Sequence, residues 1–218
     1  MDSDGKTASQ AQEGQPRPTA GERQGPQGKT QEDQDLIVAS TEFIIDPDLL
    51  DFDKPLADLA AIRQLNPQRH EMEQLTAVLY EDTDQQTCAA YVQTSPDSFW
   101  VRGHMPGLPL MPGMLMIESA AQVASFFTQR HDLLGAKMVG FGGVDNVRFR
   151  GVVLPGDRLV VMVKLIKARR GRMIVANFQG VVDRQVVCEG ELRGIPIPVD
   201  YIEAQLAKTR SSDPAAQA

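Results

Sequence analysis

Cysteine and aromatic residues are scarce in this chain of 218 residues. The two cysteines, Cys88 and Cys188, are too few for a disulfide framework, and they have no metal-ligand spacing with the three histidines. We therefore expect reduced thiols in the cytoplasm and predict neither a metal site nor another cofactor. Aromatic residues make up 6% of the chain and are few near its basic residues, so binding to nucleic acid is not predicted.

Long apolar runs are missing as well. No run approaches the roughly 20 residues that a membrane-spanning helix needs, and the N-terminus lacks a basic segment followed by an apolar one. Neither a membrane span nor a signal peptide is predicted. Residues 1–35 contain no large apolar residue after Met1. Such a segment cannot bury enough surface to offset the entropy of ordering, and we predict that it is disordered.

The charges that are present are unevenly distributed. Residues 1–60 hold 13 acids and 5 bases, a net charge of −8, whereas residues 100–175 hold 11 bases and 4 acids, a net charge of +7. A basic field of this kind can steer an acidic partner toward a site. Its main contributors are Arg102, Arg148, Arg150, Lys164, Lys167, Arg169, Arg170 and Arg172. For residues 167–172 the alternative is a solvated basic turn between strands.

Hydrophobic periodicity predicts one long helix and six strands. The helix runs from residue 114 to about 130, and the strands cover residues 75–81, 87–93, 138–149, 158–168, 173–182 and 185–196. One helix against an antiparallel sheet is an α+β architecture. We place the folded domain at residues 62–198. Residues 36–61 are interpreted as a docking segment with a short helix, and residues 199–218 as a short helix with a disordered tail.

The most informative stretch is residues 103–122, GHMPGLPLMPGMLMIESAAQ. It places His104 on a loop rich in proline and glycine, and Glu118 within the apolar helix that follows. Histidine exchanges protons near neutral pH, and burial favours the protonated form of a carboxyl group. The start of the helix at Gly113 offers free backbone N–H groups that can stabilise a developing oxyanion. Base, acid and N–H donors of this kind can remove a proton and expel a hydroxyl.

Each of these residues also has a structural interpretation. A single buried glutamate in a helix often serves as an ion-pair partner, and a single histidine in such a loop often has no chemical role. The combination of a rigid loop, a helix start and an acid in one stretch favours catalysis.

The same stretch resembles the signature of the 3-hydroxyacyl-acyl-carrier-protein dehydratases, which have the hotdog fold. The family pattern reads roughly G-H-F-P-G-x-P-x-M-P-G-x-L-x-x-E-x-x-A-Q, and Met105 replaces its phenylalanine. A second block, residues 149–159, resembles F-R-x-x-V-x-P-G-D-x-L. The resemblance covers roughly residues 62–197. It implies an antiparallel sheet of about six strands wrapped around one long central helix.

The resemblance assigns roles within the site. It implies that His104 takes the proton next to the thioester, that Glu118 protonates the departing 3-hydroxyl or holds the resulting water, and that the Gly113 N–H polarises the thioester carbonyl. Met111, Pro112 and Gln122 are implied to bind substrate. Glutamate at position 118 resembles the general dehydratase, whereas the related dehydratase–isomerase has aspartate there. In this family the histidine and the acid of one site come from different subunits, which implies a homodimer or a higher homo-oligomer.

The implied partner is acyl carrier protein, an acidic protein that carries the acyl thioester substrate. Its acidity suits the basic middle of the chain, and we predict that Arg102, Arg148 and Arg150 dock it. The chain departs from the family in residues 66–76, where Gln68 replaces histidine, Glu71 replaces proline and Thr76 replaces aspartate. These changes bear on the acyl tunnel and the choice of substrate.

The leading function is therefore reversible dehydration of 3-hydroxyacyl thioesters to trans-2-enoyl thioesters. Two alternatives stay open from the sequence. One is another hotdog thioester enzyme, such as a thioesterase. The other is a non-catalytic module that binds acyl chains or acyl carrier protein.

Overall fold

Six antiparallel strands form one sheet in a computed structural model that describes residues 42–211. The strand order across the sheet is β1-β2-β4-β5-β6-β3. The strands are β1 (Ala77–Asp82), β2 (Thr87–Gln93), β3 (Val139–Phe149), β4 (Arg158–Arg169), β5 (Met173–Val182) and β6 (Gln185–Pro196). β3 pairs with β6 through two register shifts and forms one edge of the sheet.

Three α-helices accompany the sheet: α1 (Leu59–Leu65), α2 (Gly113–Arg130) and α3 (Val199–Ser211). α2 starts after Pro112, whose fixed φ suits a helix start. Ala120 and Ala124 on α2 are fully or almost fully buried, so the strands approach the helix closely. The arrangement confirms the predicted hotdog architecture of six strands around one long helix.

Alternation along the strands gives the sheet two apolar faces. In β4, Leu159, Val161 and Val163 belong to the main core, which the sheet shares with α2. The intervening Met162 belongs to a second core on the opposite face. Because successive side chains in a strand point to opposite faces, this alternation requires both sides of the sheet to be covered.

The second face is covered by residues 43–52, which we term the outer-face segment. Ile45 and Leu50 are buried there against Leu79 and Val186, and other members of the cluster are Phe43, Ile44, Phe52, Tyr80, Ala89, Tyr91, Val160, Met162 and Val181. Gln179 fixes the start of the segment. Its Oε1 accepts from the Ile44 N–H at 2.8 Å, and its Nε2 donates to the Glu42 carbonyl at 3.2 Å.

The outer-face segment is also held by aromatic and charged contacts. The Phe52 ring meets the Tyr91 ring edge-on at 5.5 Å between centroids, and the Arg158 guanidinium lies 4.3 Å from the Phe52 centroid. Arg184 pairs with Asp48. The packing of the domain thus extends upstream of residue 62.

None of the helices between residues 42 and 211 combines the length and hydrophobicity needed to cross a bilayer. The disorder predicted for residues 1–35 and for the end of the tail concerns positions outside the described residues. The interpretation of residues 36–41 as docking residues lies outside them as well.

Candidate active site

Backbone contacts fix the loop that carries His104. Trp100 is buried and anchors the loop, and its carbonyl accepts from the His104 N–H at 2.8 Å. The His104 carbonyl accepts from the Leu110 N–H at 2.9 Å. On the side chain, Nδ1 of His104 lies 2.8 Å from the Leu110 carbonyl oxygen. Since a carbonyl oxygen can only accept, Nδ1 carries a proton, and in the neutral ring the lone pair for proton transfer is then on Nε2.

Glu118 lies in the second turn of α2 and is half-buried. Its Oε1 accepts from Gln122 Nε2 at 2.8 Å and lies 3.5 Å from Gln68 Nε2. Gln122 follows Glu118 by one helical turn, which brings the two side chains to the same face of the helix. The carboxyl group is therefore oriented by amide donors rather than by a basic side chain among the described contacts.

Gln122 is itself held by backbone groups from another part of the chain. Its Nε2 donates to the Met72 carbonyl at 2.7 Å, and its Oε1 accepts from the Gln74 N–H at 3.1 Å. These contacts dictate which end of the amide points at Glu118. The side chain is 2% exposed, so its observed contacts are with the protein, and its predicted contact with substrate stays a prediction.

A cavity of about 60 Å³ adjoins Glu118. It lies between α2 and strands β3, β5 and β6, and its polar lining includes Gln68 as well as Glu118. Apolar residues, among them Ala121, Ala124, Ile174 and Leu192, line other parts of it. Among the described residues, His104 is not part of this lining. A single chain thus brings Glu118, Gln122 and Gln68 together without placing His104 in the same cavity.

Gly113 opens α2 and is covered by an aromatic ring. A methyl group added at Gly113 would lie 2.7 Å from the Phe149 ring, so the ring can pack here because the residue is glycine. Of the neighbouring residues predicted to bind substrate, Met111 is 2% exposed and belongs to the main core, whereas Pro112 caps the helix. The Gly113 N–H has no acceptor within the helix at this position.

The three arginines predicted to dock a carrier protein differ in their surroundings. Arg102 and Arg148 are exposed. Arg150 is half-buried and donates to Glu189 from Nε at 3.0 Å and from Nη2 at 2.5 Å. Its guanidinium is therefore engaged in an ion pair with its own sheet, while Arg102 and Arg148 present their charges to solvent.

The cysteines are free and buried, and no cluster of three or more His, Cys, Asp or Glu side chains with metal-binding geometry occurs between residues 42 and 211. Burial raises the pKa of the Cys188 thiol to about 12, an effect that the Gly180 backbone hydrogen bond partly opposes. Burial also raises the pKa of Cys88. Thiols of this kind are poor nucleophiles at neutral pH.

Two contacts at the site were not predicted from the sequence. Gln68 was noted as a departure from the family pattern but was not placed beside Glu118. The packing of Phe149 over Gly113 was also missed, although both residues lie within the quoted motifs. No local periodicity links residues 36 to 50 positions apart, so the sequence contained no direct signal for either contact.

Comparison with known proteins places these features in a family context. The FabA-like domain matches residues 66–191. The 3-hydroxyacyl-[acyl-carrier-protein] dehydratase FabZ of Desulfotalea psychrophila is 38% identical over 138 residues, which cover 62% of this chain and 90% of the relative. The protein of the same name from Streptococcus thermophilus is 35% identical over 135 residues, covering 62% of this chain and 94% of the relative.

A solved structure shares the fold at lower identity. The dehydratase heterocomplex ApeI:P from Xenorhabdus doucetiae contains a chain that superposes with a TM-score of 0.55 and 17% identity, covering 66% of this chain and 95% of that chain. At this identity the likeness concerns the fold alone.

Proposed function

The chain belongs to the FabA-like family, and from this premise we propose that it catalyses the reversible dehydration of 3-hydroxyacyl-acyl-carrier-protein thioesters to trans-2-enoyl thioesters. It is a hydro-lyase of fatty-acid biosynthesis. The observation that carries this conclusion is its 35–38% identity to FabZ dehydratases over 90% or more of their length. Those relatives favour the enzyme over a thioesterase and over a non-catalytic binding module.

We assign proton abstraction to His104. Because Nδ1 is bonded to the Leu110 carbonyl, the free lone pair on Nε2 is available to take the proton from C2 of the substrate. The electrons of the C2–H bond form the C2=C3 double bond. The thioester carbonyl gains negative charge in this step, and we propose that the N–H of Gly113 at the start of α2 stabilises it.

We assign the acid role to Glu118. The C3–O bond breaks as the double bond forms, and the departing oxygen takes a proton from the Glu118 carboxyl group and leaves as water. The half-burial of Glu118 supports this role, since it limits access of bulk water. In the hydration direction the same two residues exchange roles.

We further propose that the working unit is a homodimer whose sites combine Glu118 of one chain with His104 of the other. Two observations support this. The cavity beside Glu118 is not lined by His104 of the same chain, and part of its wall belongs to the edge strand β3. Apolar side chains exposed on β3 and at the start of α2, Phe141, Phe149 and Met114, are 50–68% exposed and would be covered by a second copy.

The substrate carrier is proposed to dock through Arg102 and Arg148, which are exposed and positively charged, and through Arg150, whose side chain is held by Glu189. The location proposed for the enzyme is the cytoplasm, where Cys88 and Cys188 would stay reduced, as their free and buried state allows.

Turnover of 3-hydroxyacyl-acyl-carrier-protein by the purified full-length chain tests the activity. Formation of the enoyl thioester is followed by absorbance, and the loss of water is followed by mass spectrometry. A folded wild-type protein that binds the substrate without converting it would instead support the non-catalytic alternative.

Subunit sharing is tested by mixing two inactive proteins, His104→Ala and Glu118→Gln. A mixed dimer contains one site with both intact residues, so activity should return to about a quarter of the wild-type value per chain after statistical exchange. Absence of rescue, once exchange has been shown with tagged chains, would overturn the shared site.

A further inference from the structure

Gln68 lies beside Glu118, the proposed acid, and only the nitrogen of its side-chain amide makes a described hydrogen bond. Its Nε2 lies 3.5 Å from Glu118 Oε1, and both residues line the same cavity. Its Oε1 is buried and has no hydrogen-bond partner among the residues from 42 to 211. A buried amide oxygen without a donor is costly and is rare in folded proteins. The position therefore calls for a donor that residues 42–211 of the same chain do not supply.

Hydrogen bonds fix the backbone around Gln68, and with it the position from which its side chain extends. Arg69 Nη1 donates to the carbonyls of Asn66 at 2.8 Å and Gln68 at 2.5 Å, while its Nη2 donates to the Arg63 carbonyl at 2.9 Å. Asn66 Nδ2 in turn donates to the Gln122 carbonyl on α2 at 2.9 Å. The segment that carries Gln68 is thereby attached to the helix that carries Glu118.

The orientation of the amide follows from its neighbour. Gln122 Nε2 already donates to Oε1 of Glu118, and the Gln68 Nε2 end is directed at the same oxygen. The Gln68 Oε1 end is therefore turned away from the carboxyl group. Ser125 and Arg193 also line the cavity, but neither donates to Gln68 Oε1, and Arg193 is paired with Asp145 and Glu191. A donor entering the cavity beside Glu118 can satisfy it.

Resting on the proposed function, we propose that Gln68 Oε1 accepts a hydrogen bond from the 3-hydroxyl of the substrate. A hydroxyl donates one hydrogen bond and accepts others, so it can donate to Gln68 while its oxygen faces the Glu118 carboxyl group. As C2 loses its proton to His104 and the C3–O bond breaks, the oxygen takes the Glu118 proton and leaves as water. The hydrogen bond to Gln68 persists from the hydroxyl to the departing water.

This role gives the departure at position 68 a chemical meaning. The family pattern has histidine there, whose neutral ring has one donor and one acceptor on a rigid plane. Glutamine at position 68 offers a carbonyl acceptor together with donors directed at Glu118. The residue is thus inferred to select substrates that carry a 3-hydroxyl, rather than to shape the path of the acyl tail.

The test compares two ligands in the full-length His104→Ala protein, in which no proton abstraction occurs. The ligands are the 3-hydroxyacyl and the saturated acyl pantetheine thioesters of the chain length that this protein binds most tightly. Adding Gln68→Met should weaken binding of the hydroxyacyl thioester about ten-fold, the effect of losing one hydrogen bond in a buried site. Binding of the saturated thioester should change by less than about two-fold, since it makes no such bond.

Gln64→Met is the matched control, because Gln64 is exposed on α1, and it should leave both affinities unchanged. Gln68→Asn provides a second variant if Gln68→Met unfolds. It keeps the amide but withdraws it by one methylene group, and it should show the same selective loss. Equal weakening of both ligands, or no weakening, in a variant with a wild-type melting temperature would overturn the proposal. Because these are binding measurements, they are independent of turnover by the wild-type enzyme, whose failure would count against the proposed function instead.

Discussion

Gln122 donates from Nε2 to Glu118 Oε1 at 2.8 Å, one helical turn along α2. The same Nε2 also donates to the Met72 carbonyl, and the amide oxygen accepts from the Gln74 N–H. The acid is therefore oriented by a side chain whose own rotamer is fixed by the backbone of the segment before β1. Such support of a reactive group by a second residue limits its movement during the reaction.

Replacing Gln122 by methionine should lower kcat and stability together. The Met72 carbonyl and the Gln74 N–H would lose their partner, at a cost of about 1–3 kcal/mol for the buried Gln74 N–H. Glu118 would also lose its shortest hydrogen bond, and we expect kcat to fall about ten-fold or more. Steady-state turnover and denaturant unfolding measure the two effects. Gln129→Met on the same helix is the control, since Gln129 contacts the Lys137 carbonyl away from the cavity. A Gln122→Met enzyme with full kcat would contradict the orienting role.

Replacing His104 by alanine should remove activity and leave the fold intact. A general base typically contributes about 10²–10⁴-fold in rate, and His104 lies on a loop outside the main core. The matched control is His70→Asn, because His70 is exposed and has a φ of 57°, a conformation that asparagine tolerates. Turnover and circular dichroism are measured for both. Unchanged turnover in folded His104→Ala would remove His104 from the mechanism.

Glu118→Gln should keep the shape and polarity of the side chain but abolish delivery of the proton. The melting temperature is therefore expected to stay close to that of the wild type, whereas kcat should fall by about 10²-fold or more. Gln122 Nε2 would still find an amide oxygen at the position of Oε1. A large fall in melting temperature with most of the activity kept would show that Glu118 is a structural residue.

Charge reversal should separate docking from folding among the arginines. Arg102→Glu and Arg148→Glu should raise KM for carrier-bound substrate and leave KM for a pantetheine thioester unchanged. The effect should weaken with salt, since exposed charges are screened beyond about 10 Å at 0.1 M ionic strength. Lys54→Glu changes the net charge equally outside the basic region and serves as the control. Equal losses on both substrates would defeat the docking role.

Arg150→Glu should behave differently from the other two, because a carboxylate at position 150 would face Glu189. Both side chains of this ion pair are less than 20% exposed. We expect Arg150→Glu to lower the melting temperature of the protein, whether or not a substrate is bound.

Alkaline pH should lower the free energy of unfolding through the buried cysteines. The pKa of Cys188 is raised from 9.0 to about 12, so its contribution to stability is fully present below pH 9.0 and is lost as the pH rises from there toward about 12. Cys188→Ala should therefore reduce the fall in unfolding free energy between pH 8 and pH 10 by about 1 kcal/mol. Denaturant unfolding at the two pH values measures this. A wild-type slope in Cys188→Ala would assign the alkaline loss to other groups.

The main helix and the strands were predictable because their patterns are local. The helix predicted from residue 114 is observed at Gly113–Arg130, and the strands predicted at 173–182 and 185–196 are observed at Met173–Val182 and Gln185–Pro196. Apolar alternation marks the two strands in the sequence, and the polar pair Asp183 and Arg184 marks the two-residue turn between them. In the structure both turn residues have positive φ.

Contacts between distant residues could not be predicted in the same way. The ion pair of Arg150 with Glu189 depends on the register of β3 against β6, which two bulges shift. The approach of Gln68 to Glu118 depends on how the segment before β1 is attached to α2. At the candidate site, the motif predicted which residues are present, and the tertiary packing determined which of them meet.

Because of the outer-face segment, the folded part of the chain is longer than the part that matches the family. The FabA-like match begins at residue 66, yet Ile45 and Leu50 are buried against the sheet well upstream of it. A protein shortened to the matched residues would expose Leu79, Met162 and Val186 on one face of the sheet to water. An apolar surface of that kind promotes aggregation. A shortened version of this enzyme should therefore keep the outer-face segment as well as the residues that match the family.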